Sequence, residues 1–218
     1  MTVGKTFVSG VIRKHPYDIQ AIRQKLKCRK LTAGPKNRIW GLDLTGKTDD
    51  QGQRHSILGL LDHGTRATLT LTVVRNKSAA TLLHAVASCI ERFGRPQTLR
   101  TDNEAMFRSW LFRVSLWLVG ISHQRIELQC PWQNGRIESF FGTLKSKLDQ
   151  RAVDSIEHLD ESLWLFRLWY NHVQPHQNLQ GYTPAEIWSG KNILQRCSQT
   201  EYWFDAWDGL LTGYYLPT

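Results

Sequence analysis

Apolar residues recur along this chain in two rhythms, and the switches between them predict its elements. Ile39 to Thr45, Ser56 to Asp62 and Ala67 to Val73 read as three strands; in the third, Ala67, Leu69, Leu71 and Val73 alternate with Thr68, Thr70 and Thr72. Turn formers at Lys47 to Gln53 and at Asp62-His63-Gly64-Thr65 are short enough to join them as an antiparallel meander. The rhythm then becomes helical. Ser78 is placed to cap a helix with Leu82, Val86, Cys89 and Phe93 on its apolar side, and Gly94 followed by Pro96 stops it. Gln97 to Thr101 is a fourth strand, and a helix over Phe107, Trp110, Leu111, Val114 and Leu118 follows it, ending at Gly120. Ile121 to Ile126 is a fifth strand. Three strands, helix, strand, helix, strand, helix is an α/β order, in which helices cover a five-stranded mixed sheet.

The next helix carries the residues with most chemistry. Pro131 resists a helix before it, Asn134 is a good N-cap, and from Gly135 onward Ile137, Phe141, Leu144 and Leu148 form one apolar stripe. About 100° round the same helix lie Glu138, Gly142 and Lys145: a carboxylate, a gap and an ammonium. Alone, such a pair reads as the solvated side of an amphipathic helix. Ser155 starts a further helix with Leu159, Leu163, Phe166 and Tyr170, followed by the turn-rich stretch YNHVQPHQNLQGYTPAEIW. The aromatic tail (Tyr202, Trp203, Phe204, Trp207, Tyr214, Tyr215) suits packing against the body or a partner chain better than stacking on nucleic acid.

At 218 residues and 41% hydrophobic content the chain can bury one sizeable core. No apolar run approaches the ~20 residues of a membrane span and Met1 to Ser9 has no signal-peptide pattern, so a cytoplasmic protein with no membrane partner is expected. Cys28, Cys89, Cys130 and Cys197 stand far apart, as free thiols would. The net charge of +9 has a location: residues 1 to 38 hold ten basic residues against the single acid Asp18, and the remainder balances 18 against 18. A basic arm before a neutral body is the footprint of a nucleic-acid partner, although an acidic protein or membrane surface would attract it too. The arm reads as two helical pieces, around Phe7 to Ile12 and from Asp18 through Leu26, part of a helix-turn-helix, with Lys25, Lys27, Arg29 and Lys30 as phosphate contacts and a linker to Asn37. The organisation expected is thus an arm over 1–38, a core over 39–188 and a tail over 189–218.

Asp43 lies on the first strand, Asp102 directly after the fourth, and Glu138 on the helix after the fifth. Ligands of open α/β sheets gather beyond the carboxyl ends of parallel strands, where these three acids can converge as oxygen donors for Mg²⁺ or Mn²⁺. Two such ions would serve phosphodiester chemistry. Asp102 reads equally as a helix cap, whereas Asp43 among Trp40, Leu42 and Leu44 is costly unless paired or metal-bound. Gly41 to Thr48 matches the P-loop pattern, but Asp49 to Gln53 leaves no room for the helix a P-loop must open into. His172 and His176 lack a cysteine pair and suit a turn better than zinc.

The segments WGLDLT, RTDNEAMF and PWQNGRIESFFGTLK, with 35 residues between Asp102 and Glu138, resemble the D, D, 35, E motif of retroviral integrases and bacterial insertion-sequence transposases. YNHVQPHQNLQGYTPAEIW is similar to the bacterial branch. The resemblance spans roughly Ile39 to Trp188 and implies a ribonuclease H-like fold with Asp43, Asp102 and Glu138 as a metal-binding catalytic triad. It further implies Lys145 as a DNA contact, Asn134 and Gly135 in a loop flexing over DNA, and a homo-oligomer on transposon ends and target. Glu104 stands where the family has Gly, Gln174 where it often has Arg, and the front end is short for a helix-turn-helix, as in a truncated copy. A catalytically silent DNA-binding remnant and a plain metal-dependent nuclease remain the alternatives.

Overall fold

The computed structural model describes residues 34–126, 134–190 and 202–215, with Lys14 alone of the preceding segment. The chain divides into two compact units, Met1–Thr32 and Ala33–Thr218, and the second holds the architecture below. The predicted arm helices, with Lys25, Lys27, Arg29 and Lys30, lie outside the described residues, as do Pro131 and Trp132.

Strands β1 (Ile39–Thr48), β2 (Arg54–Asp62) and β3 (Thr68–Val74) form the expected meander; β4 (Thr98–Thr101) and β5 (Ser122–Arg125) complete a five-stranded sheet in the order β3-β2-β1-β4-β5. β1 pairs antiparallel with β2 and parallel with β4, and β4 parallel with β5, so the sheet is mixed as predicted. β1 runs as strand through Thr48, which removes the P-loop reading. Alternation along β1 settles which side each residue serves. Trp40, Leu42 and Leu44 join the cluster built with α1 (Ala79–Phe93), whose Leu82, Val86 and Cys89 are buried, and with α3 (Trp110–Leu118). Gly41 and Asp43 face the other side. There α4 (Gly135–Leu148) and α5 (Ile156–His172) build a second cluster from Ile137, Phe140, Phe141, Leu144, Leu163 and Phe166.

Two expectations need correction. The helix foreseen over Phe107 to Leu118 is two, α2 (Ala105–Arg108) and α3, because Ser109 takes an extended backbone and its hydroxyl accepts from the Phe112 amide. The break resets the helical phase, so Phe107, Phe112 and Leu116 are buried while Trp110, Leu111 and Leu118 are exposed, with Trp117, at 76, 47, 71 and 75% respectively for Trp110, Leu111, Leu118 and Trp117. The alternation of β3 is interrupted by a register shift at Leu60/Leu61, which sends Leu69 and Leu71 to opposite clusters. The tail contains a hairpin of β6 (Tyr202–Ala206) and β7 (Leu211–Tyr215). Its Trp207 and Leu211 are buried in the α4–α5 cluster and the Trp169 indole N–H donates to the Thr212 carbonyl at 3.0 Å, whereas Tyr202, Trp203 and Tyr214 are exposed.

The open edge of β3 is covered from α5. Asn171 Oδ1 accepts from the Thr68 amide and its Nδ2 donates to the Thr68 carbonyl, both at 2.9 Å; Asp160 accepts from the Val73 amide at 3.0 Å. These side chains satisfy backbone groups that another strand would otherwise seek. A short helix, α6 (Pro184–Ser189), follows the turn-rich stretch, closed by a capping box between Thr183 and Glu186.

Candidate nucleic-acid processing site

The parallel pairing of β1 with β4 sets Gly41 opposite Arg100. Two residues further along each segment stand Asp43 and Asp102, so the sheet itself brings these acids to one end. Asp43 is half-buried, and its antiparallel partner is Gly59. A Cβ on Gly59 would lie 2.8 Å from the Phe141 ring, so the absence of a side chain there is what lets α4 approach the strand that carries Asp43.

Asn134 occupies the N-cap position of α4 but does not cap it. Its side chain is buried (2% exposed) and its amide nitrogen donates to Asp43 Oδ2 at 3.4 Å, while its Oδ1 has no partner. The other Asp43 oxygen accepts from the Leu44 amide at 2.8 Å. Asp102 Oδ1 accepts from the Glu104 amide at 3.0 Å, a local turn within TDNE. Glu138, one turn into α4, is exposed and makes no side-chain hydrogen bond or ion pair among the described residues. Gly142 and Lys145 are exposed on the same helix, and a Cβ at Gly142 would meet nothing within 4 Å, so that face is open as the spacing foresaw. Gly135 is likewise unobstructed.

The fields of the acids meet on Asp43. Burial pushes its carboxyl up to about 6; the Leu44 amide opposes this, and Asp102, Glu104 and Glu138 add to it by repulsion. Glu104, noted in the sequence only as a departure from the family pattern, therefore belongs to this electrostatic group. Three carboxylates from separate elements are the hard oxygen donors that Mg²⁺ or Mn²⁺ accept, and a divalent cation would offset the repulsion Asp43 bears. Among the described residues no three His, Cys, Asp or Glu side chains are gathered tightly enough to hold a metal ion as they stand. His172 and His176 form no such group; burial lowers both, His176 to about 4.

On the same sheet face, next to the acids, lies a feature that sequence reading passed over. His63, taken as a turn residue, is buried, with its Nε2 at 2.5 Å from where a Gly41 Cβ would stand, so the ring occupies the space glycine leaves. Burial, then Arg100, Arg136 and Arg66, push His63 down to about 3, so the ring is neutral. Its carbonyl accepts from Arg136. The neighbouring Asp62 is fully buried and receives the Asn37 amide and the Thr65 amide and hydroxyl at 2.9, 2.8 and 2.8 Å.

Comparison with known proteins agrees with this architecture. Residues 119–184 match the integrase core domain. The chain is 29% identical over 168 residues (76% of it, 47% of the relative) to the insertion element IS476 uncharacterized 39.2 kDa protein of Xanthomonas euvesicatoria. It is 25% identical over 155 residues (71% of it, 56% of the relative) to the insertion element IS407 uncharacterized 31.7 kDa protein of Burkholderia multivorans. The chain thus spans about half the length of the curated relatives it matches. Its fold is that of the HTLV-2 integrase catalytic core domain, solved in complex with magnesium in a dimeric form: TM-score 0.57 at 19% identity, covering 73% of this chain and 99% of that one. The five-stranded mixed sheet between two helical layers is thus the ribonuclease H-like fold of integrase catalytic cores, in a chain similar to insertion-element proteins and matching the integrase core domain over residues 119–184.

Proposed function

We propose that this chain is the catalytic core of a DNA transposase, which cuts a DNA strand and joins the freed 3′-hydroxyl to a target. The single observation that supports the reading most is the β1–β4 pairing, which sets Asp43 and Asp102 at one end of the sheet, with α4, the helix of Glu138, packed close to β2 through Phe141 and Gly59. In this reading Asp43, Asp102 and Glu138 hold two divalent ions, Mg²⁺ or Mn²⁺. When bound, these ions would lower the pKa of an attacking water or hydroxyl and stabilise the leaving oxygen. The chain's own contributions are positional. Asn134 orients Asp43 through its amide, the β1–β4 pairing fixes Asp43 against Asp102, and exposed Glu138 is free to turn toward both. Lys145, whose exposed side chain makes no hydrogen bond or ion pair among the described residues, supplies a cation to the DNA backbone from the open face of α4. Gly135 leaves that helix start unobstructed to the duplex, and the basic arm of Lys25, Lys27, Arg29 and Lys30 adds phosphate contacts. The working form is a homo-oligomer, for which the exposed apolar side of α3 offers a surface.

The test uses the purified chain, Mn²⁺ and a labelled duplex carrying the terminal repeats that flank its gene. Joined products are expected, and Asp102→Asn should abolish joining while leaving duplex binding within a few-fold. Joining that survives the substitution would sink the assignment of the acids. Cutting without joining would make the chain a nuclease, and binding alone a silent remnant.

A further inference from the structure

Asn134 begins α4 with its backbone and leaves its side chain for something else. Its carbonyl accepts from the Ile137 and Glu138 amides at 3.0 and 3.1 Å, the opening bonds of the helix. An asparagine at such a position ordinarily turns its side-chain oxygen back onto an amide of the first turn. This one makes no such bond. It is buried instead, 2% exposed, with Nδ2 at 3.4 Å from Asp43 Oδ2 and no hydrogen-bond partner for Oδ1. One residue thus holds the Glu138 amide by its main chain and reaches Asp43 by its side chain, spanning the gap between two of the three acids.

Donation to Asp43 accounts for one end of the amide and leaves the other. A buried acceptor with no donor is costly and calls for a partner of another kind. The contact that is made is also long, since 3.4 Å lies beyond the roughly 2.7–3.2 Å usual for N–H···O. It is nearer to a different spacing. Two oxygens that share one octahedral shell at about 2.1 Å from Mg²⁺ stand about 3.0 Å apart. The nitrogen and oxygen of an amide trade places when its last torsion turns over, so Oδ1 can take the position beside Asp43 while the rest of the side chain stays where it is. Charge favours such a donor as well. Asp43 already bears repulsion from Asp102, Glu104 and Glu138, and a carbonyl oxygen adds a ligand without adding to it. Among the described residues the acids do not close a metal shell by themselves, and Glu138 is exposed, so an oxygen already buried beside Asp43 supplies what they lack.

We propose that Asn134 turns its side-chain amide over and presents Oδ1 as a neutral fourth oxygen donor to the divalent ion held at Asp43; this rests on the reading of Asp43, Asp102 and Glu138 as the carboxylate ligands. The bond from Nδ2 belongs to the ion-free chain and gives way to Oδ1 in the loaded one.

The purified chain is titrated with Mn²⁺ alone, the free ion being read by electron paramagnetic resonance. Asn134→Ser should weaken binding by about tenfold or more. Serine suits the N-cap position, so α4 should still start, and thermal melting of the ion-free proteins checks this. Asn134→Asp keeps an oxygen but has no N–H to give Asp43, and it should bind at least as tightly as the wild type. Electron–nuclear double resonance of bound Mn²⁺, in protein carrying ¹³C-labelled asparagine, reads the ligand directly: a carbon coupling present in the wild type and missing from both Asn134 variants is expected. Unchanged affinity in Asn134→Ser, beside a loss of about tenfold in Asp43→Asn, would overturn the ligand and leave the acids' role intact. Weaker binding in both Asn134 variants, with no asparagine coupling in the wild type, would reduce Asn134 to positioning Asp43 and overturn the ligand too. If the unsubstituted chain binds no Mn²⁺, the reading of the acids fails and this proposal with it.

Discussion

The carboxyl of Asp43 is sheltered from water and repelled by three other acids, with the Leu44 amide and, at 3.4 Å, the Asn134 side-chain amide favouring its charge. Its folded pKa of about 6 lies above the ordinary 3.8, so the folded state holds that proton more tightly than the unfolded chain does. The resulting stabilisation is complete below about pH 4 and is lost as pH rises through 6. Asp43→Asn should therefore be more stable than the wild type at about pH 7.5, by on the order of 2 kcal/mol, with the gap closing at about pH 4. Thermal unfolding of the pair at both pH values reads this, and equal melting at the higher pH would show that the carboxyl bears no strain. Mn²⁺ should raise the melting point of the wild type more than that of the variant. Asp43 was legible in the sequence because an acid amid Trp40, Leu42 and Leu44 violates the strand's own pattern. Asn134 was legible as a helix cap and, by resemblance, as part of a loop over DNA, but its bond to Asp43 was not, since that partner lies 91 residues away and nothing local announces it. His63 and the arginines gave no local signal either. A histidine between Asp62 and Gly64 looks like a turn until the fold lays it over Gly41.

Among the elements, α3 departs furthest from its pattern. Its sequence offers two apolar faces, and the one that packs is chosen by the Ser109 break, which turns Phe112 and Leu116 onto α1 and sets Trp110 and Trp117 outward. Phe112→Ala should cost about 3–5 kcal/mol, whereas Trp117→Lys should shift stability by no more than about 0.5 kcal/mol. Urea unfolding of the two variants distinguishes them, and the reverse order would restore the continuous helix that periodicity predicted. A short serine-capped helix and an uninterrupted one share nearly the same apolar spacing, so the phase had to come from tertiary packing. The bulge in β3 is the same problem in a strand, because one displaced residue sends Leu69 and Leu71 to opposite sides of a sheet whose alternation looked regular. Where capping, spacing and stop signals agreed, as in α1 with Ser78 and Gly94 or α5 with Ser155, the elements matched expectation.

At the scale of the whole molecule, the β6–β7 hairpin is tied into the body that carries the acids. Trp207 stacks on Phe166 with ring centroids 6.0 Å apart, and Lys147 of α4 lies 4.7 Å over the Trp169 ring while donating to the Leu210 carbonyl. Trp207→Ala should accordingly destabilise the body by about 3–5 kcal/mol in a single transition, followed by denaturant titration; a loss below about 0.5 kcal/mol would mean the hairpin is an independent appendage. The sequence indicated that the tail's aromatics pack, but their division into buried and exposed follows from a strand register that no turn signal disclosed. The sheet order has a further consequence for how relatives are compared. Asp102 is anchored by β4 lying along β1, and Glu138 by α4 lying against β2, so both acids take their bearings from neighbouring rails of one frame. The polymer between them is a detour through α2, α3 and β5. Its 35 residues measure contour and not separation. Kin that lengthen the outward bend at Gly120 would break the familiar count while keeping the same ångström-scale gap, and an arithmetic search for the interval would pass them by.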